Sequence, residues 1–359
     1  MIAERTGEMT DRFMIYGATG YTGRLLARLA RDKGLSPIIA GRSEAKLKSL
    51  ANQYDAKFRA FDLSDRKALD EALDDVDVVL HAAGPFSATS KPMVDACLRT
   101  GTHYLDITGE ISVFEACARR DEAAKEVGIM IMPGVGFDVV PSDCLAAHMK
   151  RRLPDATDLV LGISGIGTAS RGTSKTMIES IGAGTRVRRE GRIVSLGTAP
   201  QRDMNFGDGN KPSVGVGWGD VSTAYHSTGI PNITVYFEAS PQLQQMAGMG
   251  GFMRFILSRG FMQRRLKARV DSEPDGPTEQ ERAAGSSVLI GEASNEAGEK
   301  VVSRLRTPEG YSLTIQTGLD IVQRVLAGEA KPGFQTPSRL LGPDYITTFD
   351  GCVREDLNA

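Results

Sequence analysis

Phe13-Met14-Ile15-Tyr16-Gly17-Ala18-Thr19-Gly20-Tyr21-Thr22-Gly23 is the stretch that decides the fold. An apolar run ends in Gly17, Gly20 and Gly23, and Leu25, Leu26 and Leu29 follow at once with helical periodicity. The pattern predicts a strand, a tight turn and a helix start. Turn glycines let the backbone approach a pyrophosphate, and a helix N-terminus offers unpaired N–H groups and a favourable dipole. The spacing is G-x-x-G-x-x-G, not the stricter G-x-G-x-x-G, so the glycines alone are weak evidence. Their place between a strand and a helix makes dinucleotide binding the expectation over a merely structural turn. Gly17, Thr19, Gly20, Tyr21, Thr22 and Gly23 are the candidate phosphate-loop residues.

The second strand, Pro37 to Ala40, leads into Gly41-Arg42-Ser43. A cofactor with a free ribose 2′-hydroxyl calls for an acid about 20 residues past the glycines. Here the acid is absent and a cation stands in its place. A guanidinium grips a 2′-phosphate through charge-assisted hydrogen bonds. Arg42 and Ser43 therefore point to NADP over NAD, the plain alternative being a solvated arginine opening the next helix.

Strand and helix signals keep alternating: a strand near Lys57 to Asp62, a helix from Asp65, then Val76 to His81 running into Ala82-Ala83-Gly84-Pro85-Phe86. A helix near Pro92 to Arg99, a strand at His103 to Ile107, one long helix from Ser112 to Val127 and a strand at Ile129 to Met132 follow. Short connections in such an alternation imply a parallel sheet covered on both faces. The fold class expected is α/β: a Rossmann doubly wound sheet over 10–137, rejoined by a helix and tail at 311–359, with an inserted mixed α/β substrate domain at 138–310. Within the insert, Ser222 to His226 and Asn232 to Glu238 read as strands, and 286–293 with 300–306 as hairpin arms.

The chain has 359 residues, 41% of them hydrophobic, and a formal charge of −2, so no global field calls for nucleic acid. Four scattered cysteines suggest neither a metal site nor a disulfide framework, and no run approaches the ~18 apolar residues of a membrane span. The opening residues lack the apolar core of a signal peptide. The expectation is a soluble, cytoplasmic protein. Gln244 to Val270 mixes Phe252, Phe255, Ile256, Leu257 and Phe261 with Arg254, Arg259, Arg264, Arg265, Lys267 and Arg269, without an acid. Such a segment lies on an anionic membrane or meets an acidic carrier protein; a core helix with solvated cations, or a homodimer contact, is the duller reading.

Ligands of an open parallel sheet bind outside the carboxyl ends of its strands. Ala83, Gly84, Pro85 and Phe86 fall there, as small residues beside the cofactor with Phe86 as a wall. Asp62 ends the third strand on the same rim. Asp106 and Glu110 lie at and beyond the end of the fifth strand and suit proton movement or the grip of a substrate cation; Asp106 suits a loop cap equally. Asp138 and Ser142 read as caps of a helix beginning near Pro141. Thr173, Ser174 and Lys175 open a helix, and Lys175 is a candidate proton donor, or else a solvated lysine.

Laid out in this order, the motifs resemble those of the saccharopine dehydrogenase-like superfamily of NADP-binding oxidoreductases, nearest its trans-acting enoyl reductase branch. The residues that carry the resemblance are 17–23, Ala40-Gly41-Arg42, 82–86, Tyr104 to Glu110, Gly136 to Asp143, Gly333 to Ser338 and Leu341 to Asp344. The resemblance implies a Rossmann domain with an inserted substrate domain, and NADP more firmly than any substrate. By resemblance Asp106 inherits the acidic position of the Tyr-x-Asp motif near the saccharopine reductase active site. The leading expectation is NADPH-dependent reduction of an activated C=C bond in a small or acyl-chain substrate. Left open are a saccharopine-type C=N reductase or dehydrogenase, for which Arg171, Arg186, Arg188 and Arg189 are the available cations, and a non-catalytic NADP-binding adaptor at a membrane surface.

Overall fold

The computed structural model describes residues 12–180, 184–240, 243–244, 259–270 and 272–357. The chain divides into two compact units, residues 1–107, 116–133 and 315–334 in one, and 108–115, 134–314 and 335–359 in the other.

In the first unit, β1 (Phe13–Tyr16), β2 (Ile38–Gly41), β3 (Phe58–Ala60), β4 (Val78–His81), β5 (His103–Asp106) and β6 (Met130–Met132) are joined by Gly333–Phe334 in one seven-stranded sheet. Its order is 3-2-1-4-5-6 with Gly333–Phe334 beyond β6, and every pairing is parallel. Strands β1, β2 and β4 are buried at every position, as a sheet covered on both faces requires. The order reverses between β1 and β4, and the loops leaving their carboxyl ends lie side by side there. Helices α1 (Tyr21–Asp32), α2 (Glu44–Tyr54), α3 (Arg66–Leu73) and α4 (Phe86–Thr100) connect the strands. α4 starts six residues before the expected Pro92, which lies inside it. The long helix expected after β5 is two, α5 (Ile111–Ala118) and α6 (Asp121–Val127).

The second unit is built on a nine-stranded mixed sheet. The strands are β7 (Asp158–Ser164), β8 (Thr185–Arg189), β9 (Arg192–Leu196), β10 (Gln201–Asn205), β11 (Asn210–Val216), β12 (Asn232–Glu238), β13 (Ser286–Ser294), β14 (Lys300–Pro308) and, after Gly333–Phe334 (β15), β16 (Val353–Leu357). β7 and β12 run parallel at its centre and β13–β14 is the expected hairpin. Met204, Phe206, Tyr236 and Ile290 form an apolar cluster on the sheet. Of the expected return at 311–359, residues 315–334 do rejoin the first unit, whereas residues 335–359 belong to the second, where β16 extends the sheet beside β14.

This unit also holds the helices α7 (Val140–Arg152), α8 (Arg171–Ser180) and α9 (Asp220–Thr228). α9 replaces the strand expected at Ser222 to His226. It packs on α7, buries Ser222, Thr223 and Ala224 at 0% exposure, and ends at Gly229 in the left-handed region (φ +71°). Of the basic segment, 245–258 lie outside the described residues; Gly260–Val270 is a helix against α8 with Phe261 exposed. No helix among the described residues is long and apolar enough to cross a membrane.

Candidate functional site

The phosphate loop is shaped by backbone contacts that exclude side chains. Gly17 has φ +87°, and a Cβ there would stand 2.8 Å from the Ala82 carbonyl carbon and the Ala83 nitrogen. Its N–H donates to the Ala40 carbonyl at 2.8 Å, and its own carbonyl accepts the Gly20 N–H at 2.9 Å. Gly20 is the N-cap of α1, with no capping side chain and no acid in the first turn. An unblocked helix start of this kind favours an anion. The residues fit the pyrophosphate that the sequence pattern calls for.

Arg42 and Ser43 follow β2 on the same rim, both exposed. Among the described residues neither side chain makes a hydrogen bond or ion pair, so a guanidinium and a helix N-cap hydroxyl are uncommitted where a 2′-phosphate would lie. Asp62 is occupied: its Oδ1 accepts the Ser64 N–H at 2.9 Å and hydroxyl at 2.7 Å, and these bonds hold its carboxyl below the usual range. Burial pushes the Tyr16 hydroxyl to about 12, with the Asp62 charge adding to the rise and Arg42 opposing it. Arg42 and Asp62 thus share the space over Tyr16.

The loop after β4 is fixed from beneath by a pair that no motif announced. His81 is 0% exposed, and burial drives its pKa down to about 3, so it is neutral. Its Nε2 lies 3.0 Å from Thr89 Oγ1, whose hydroxyl donates to the Ala83 carbonyl at 2.7 Å. With the Thr89 proton so placed, His81 donates from Nε2. Phe86 is buried with its ring edge-on to His81 at 5.4 Å, which makes it a support under the loop and not the open wall expected. Ala83 and Pro85 are partly exposed and Gly84 exposed.

Asp106 is sealed: it is 0% exposed, and the Tyr104 hydroxyl donates to its Oδ2 at 2.6 Å. Both side chains share one face of β5, as strand alternation predicts, and burial makes them a hydrogen-bonded pair of the core. Lys175 belongs to the second unit, half-buried on α8. Nearby, Tyr311 accepts the Ser170 N–H at 2.6 Å and lies 3.0 Å from Thr173 Oγ1.

The expected caps are not caps. The N-cap of α7 is Val139, without a side-chain cap, and Ser142 Oγ donates to the Val139 carbonyl at 3.1 Å. Asp143 is buried and accepts from Ser227 Oγ at 2.5 Å and the Ser338 N–H at 2.8 Å. Asp220 is 0% exposed, and burial raises its carboxyl well above the usual range although the nearby Ser142 hydroxyl opposes the rise. Asp138 is desolvated yet not fully enclosed, and burial raises its carboxyl to about 7. Sequence reasoning assigned none of these acids a proton-exchanging role. The substrate arginines are largely committed: Arg188 to Glu115 at 2.9 Å, Arg171 to Asp275 at 2.9 Å and Arg189 to Thr234 at 3.0 Å.

Residues 13–132 match the saccharopine dehydrogenase NADP binding domain family. The chain is 34% identical over 163 residues to a trans-acting enoyl reductase of Mycobacterium leprae, covering 41% of this chain and 39% of that protein. It is 28% identical over 186 residues to a lipid droplet localized protein of Caenorhabditis elegans, covering 46% of this chain and 43% of that protein. The matches therefore span less than half the length of these relatives. The apo saccharopine dehydrogenase (L-Glu forming) of Saccharomyces cerevisiae superposes with a TM-score of 0.64 at 12% identity, over 97% of this chain and 100% of that one, a likeness of fold.

Proposed function

We propose, from the match of residues 13–132 to the saccharopine dehydrogenase NADP binding domain, that the protein is an NADPH-dependent reductase of an activated carbon–carbon double bond in a small or acyl-chain substrate. The observation that carries the reading is the unblocked start of α1 behind Gly17 and Gly20, with the uncommitted Arg42 on the same rim. When bound, NADPH supplies the hydride. Gly17 and Gly20 admit the pyrophosphate to the backbone; Arg42 and Ser43 hold the 2′-phosphate; Thr89 fixes the Ala83 carbonyl and with it the loop 82–86.

The trans-acting enoyl reductase among the relatives supports C=C over C=N reduction. The commitment of Arg188, Arg171 and Arg189 to partners within the chain points the same way, since a saccharopine-type substrate brings several carboxylates that need cations. The cationic helix Gly260–Val270, with Phe261 exposed, suits an acyl chain delivered on an acidic carrier or from an anionic lipid surface. A cytoplasmic location fits this supply.

The test is NADPH oxidation, followed at the nicotinamide absorbance, with trans-2-enoyl thioesters of increasing chain length and with an α-keto acid plus amine pair. Turnover of the thioesters alone supports the reading. Turnover of the imine-forming pair moves it to C=N reduction, and tight NADPH binding without turnover of either favours the adaptor.

A further inference from the structure

The helix Gly260–Val270 divides into two faces with helical regularity. Met262, Gln263, Leu266, Lys267 and Val270 are half-buried, whereas Phe261, Arg264, Arg265, Ala268 and Arg269 are exposed. The half-buried set includes the contact with α8, where the Gln263 amide donates to the Ile178 carbonyl at 3.5 Å. At 3.6 residues per turn the five exposed positions fall within an arc of about 140°. Phe261 and Ala268 lie along the middle of that arc, with Arg264 on one flank and Arg265 and Arg269 on the other.

This outward face carries one sign of charge. No acid occurs from Ala239 to Val270, and no acid pairs with Arg264, Arg265 or Arg269 among the described residues. A solvated helix ordinarily interleaves the two signs, because opposite charges one turn apart support it and like charges oppose it. Arg265 and Arg269 stand one turn apart as like charges. Phe261 is 60% exposed, more than any other large apolar side chain exposed among the described residues. Packing within the chain accounts for neither feature, so the face is built for contact outside it.

We propose that this face docks on an anionic lipid bilayer, with the guanidiniums on headgroup phosphates and the Phe261 ring below them. The proposal rests on the reductase reading only for its purpose, the supply of an acyl chain; the contact itself is read from this helix. Guanidinium forks match phosphate oxygens, and their long stems let the cations stay with the headgroups while an aromatic ring between them reaches the acyl boundary. An acidic protein surface would satisfy the arginines and offer nothing to the ring. The chain as a whole carries a charge of −2, so attraction to an anionic surface is confined to this patch and orients the protein on it.

Flotation of the whole chain with vesicles tests this, using phosphatidylcholine alone and phosphatidylcholine with about 30% phosphatidylglycerol. The wild type is expected to float with the anionic vesicles at low salt, to ignore the neutral ones, and to be released as salt rises. Replacing Arg264, Arg265 and Arg269 together by Gln lowers partitioning by about 100-fold, the product of three headgroup charges lost. A control in which Lys33, Lys46 and Lys48 become Gln removes the same charge from exposed positions of the first unit and binds as wild type does. Phe261→Trp shifts its emission to the blue on anionic vesicles, as a ring leaving water does. Unchanged far-ultraviolet circular dichroism shows that each variant is folded.

Wild type that does not float, or floats equally with both vesicles, overturns the proposal. So does an arginine variant that floats undiminished, or a lysine control that loses binding to the same extent. Capture by polyglutamate or duplex DNA without vesicle binding also overturns it and gives the face to a polyanion. Vesicle binding without turnover of an enoyl thioester counts against the reductase reading alone and leaves the lipid contact standing.

Discussion

Gly23 lies so close to Gly17 that a Cβ on the first would stand 2.2 Å from the carbonyl oxygen of the second. That oxygen is already committed to the Gly20 N–H, so it has nowhere to retreat. The last glycine of the triplet thus serves helix-to-turn packing, while Gly17 serves the turn itself. Gly23→Ala is expected to destabilise the protein by about 1–3 kcal/mol, the usual cost of forcing a methyl into packed backbone. It also weakens NADPH binding, because α1 must move away from the turn. Urea melts and calorimetric titration check both effects; a variant with unchanged stability would show that the turn yields more freely than this packing implies.

Arg42→Ala tests cofactor choice without touching the core, since Arg42 is exposed and uncommitted. The loss of a charged hydrogen bond predicts that affinity for NADPH falls by about 1.5–3 kcal/mol while that for NADH stays. Calorimetry with both nucleotides measures the change, and equal losses for the two would place the phosphate contact elsewhere.

Thr89→Val removes the hydroxyl between His81 and Ala83 at nearly constant volume. The Ala83 carbonyl loses its donor at 2.7 Å and the buried His81 Nε2 loses its acceptor at 3.0 Å. A stability loss of about 1–3 kcal/mol follows from stranding buried polar groups. The loop 82–86 loosens, so KM for NADPH rises more than kcat falls. Steady-state kinetics at varied NADPH separates these two effects.

The parts of this fold legible from sequence are those decided within a dozen residues. β1, β2 and β4 are buried on both faces, so their apolar runs announced a parallel sheet, and the glycines announced the turn between β1 and α1. α9 was not legible. Its buried face is Val221, Ser222, Thr223 and Ala224, too small and too polar to show a helical stripe, and its contact with α7 depends on Asp143 reaching Ser227 across 84 residues of sequence. Asp106 looked functional because it ends a strand on the ligand rim, yet the Tyr104 hydroxyl and complete burial make it part of the core. Asp138 looked like a cap because a helix follows it. Its distinction lies in the donors it lacks and in Gly109, 29 positions earlier, where a Cβ would stand 3.0 Å from Asp138 Oδ2, and neither is written in local sequence.

The Asp138 carboxyl also sets a pH dependence of stability whose sign is fixed by its environment. Its folded value of about 7 lies above the roughly 3.9 of an unfolded chain. Between those values the folded state holds a proton that the unfolded state has released, so stability is full below about pH 4 and declines until the folded group ionises near pH 7. A rise of about 3 units corresponds to about 4 kcal/mol, of which partial hydration leaves roughly 2–4. Asp138→Asn cannot ionise and escapes this loss. Urea melts at pH 5 and pH 8 are expected to show the variant gaining about 1–2.5 kcal/mol on wild type at the higher pH, since pH 5 already lies about one unit above the unfolded value. Asp143 and Asp220, also raised by burial, are present in both proteins and cancel in the comparison. A difference that does not change with pH would mean that Asp138 is hydrated enough to ionise as an ordinary surface acid.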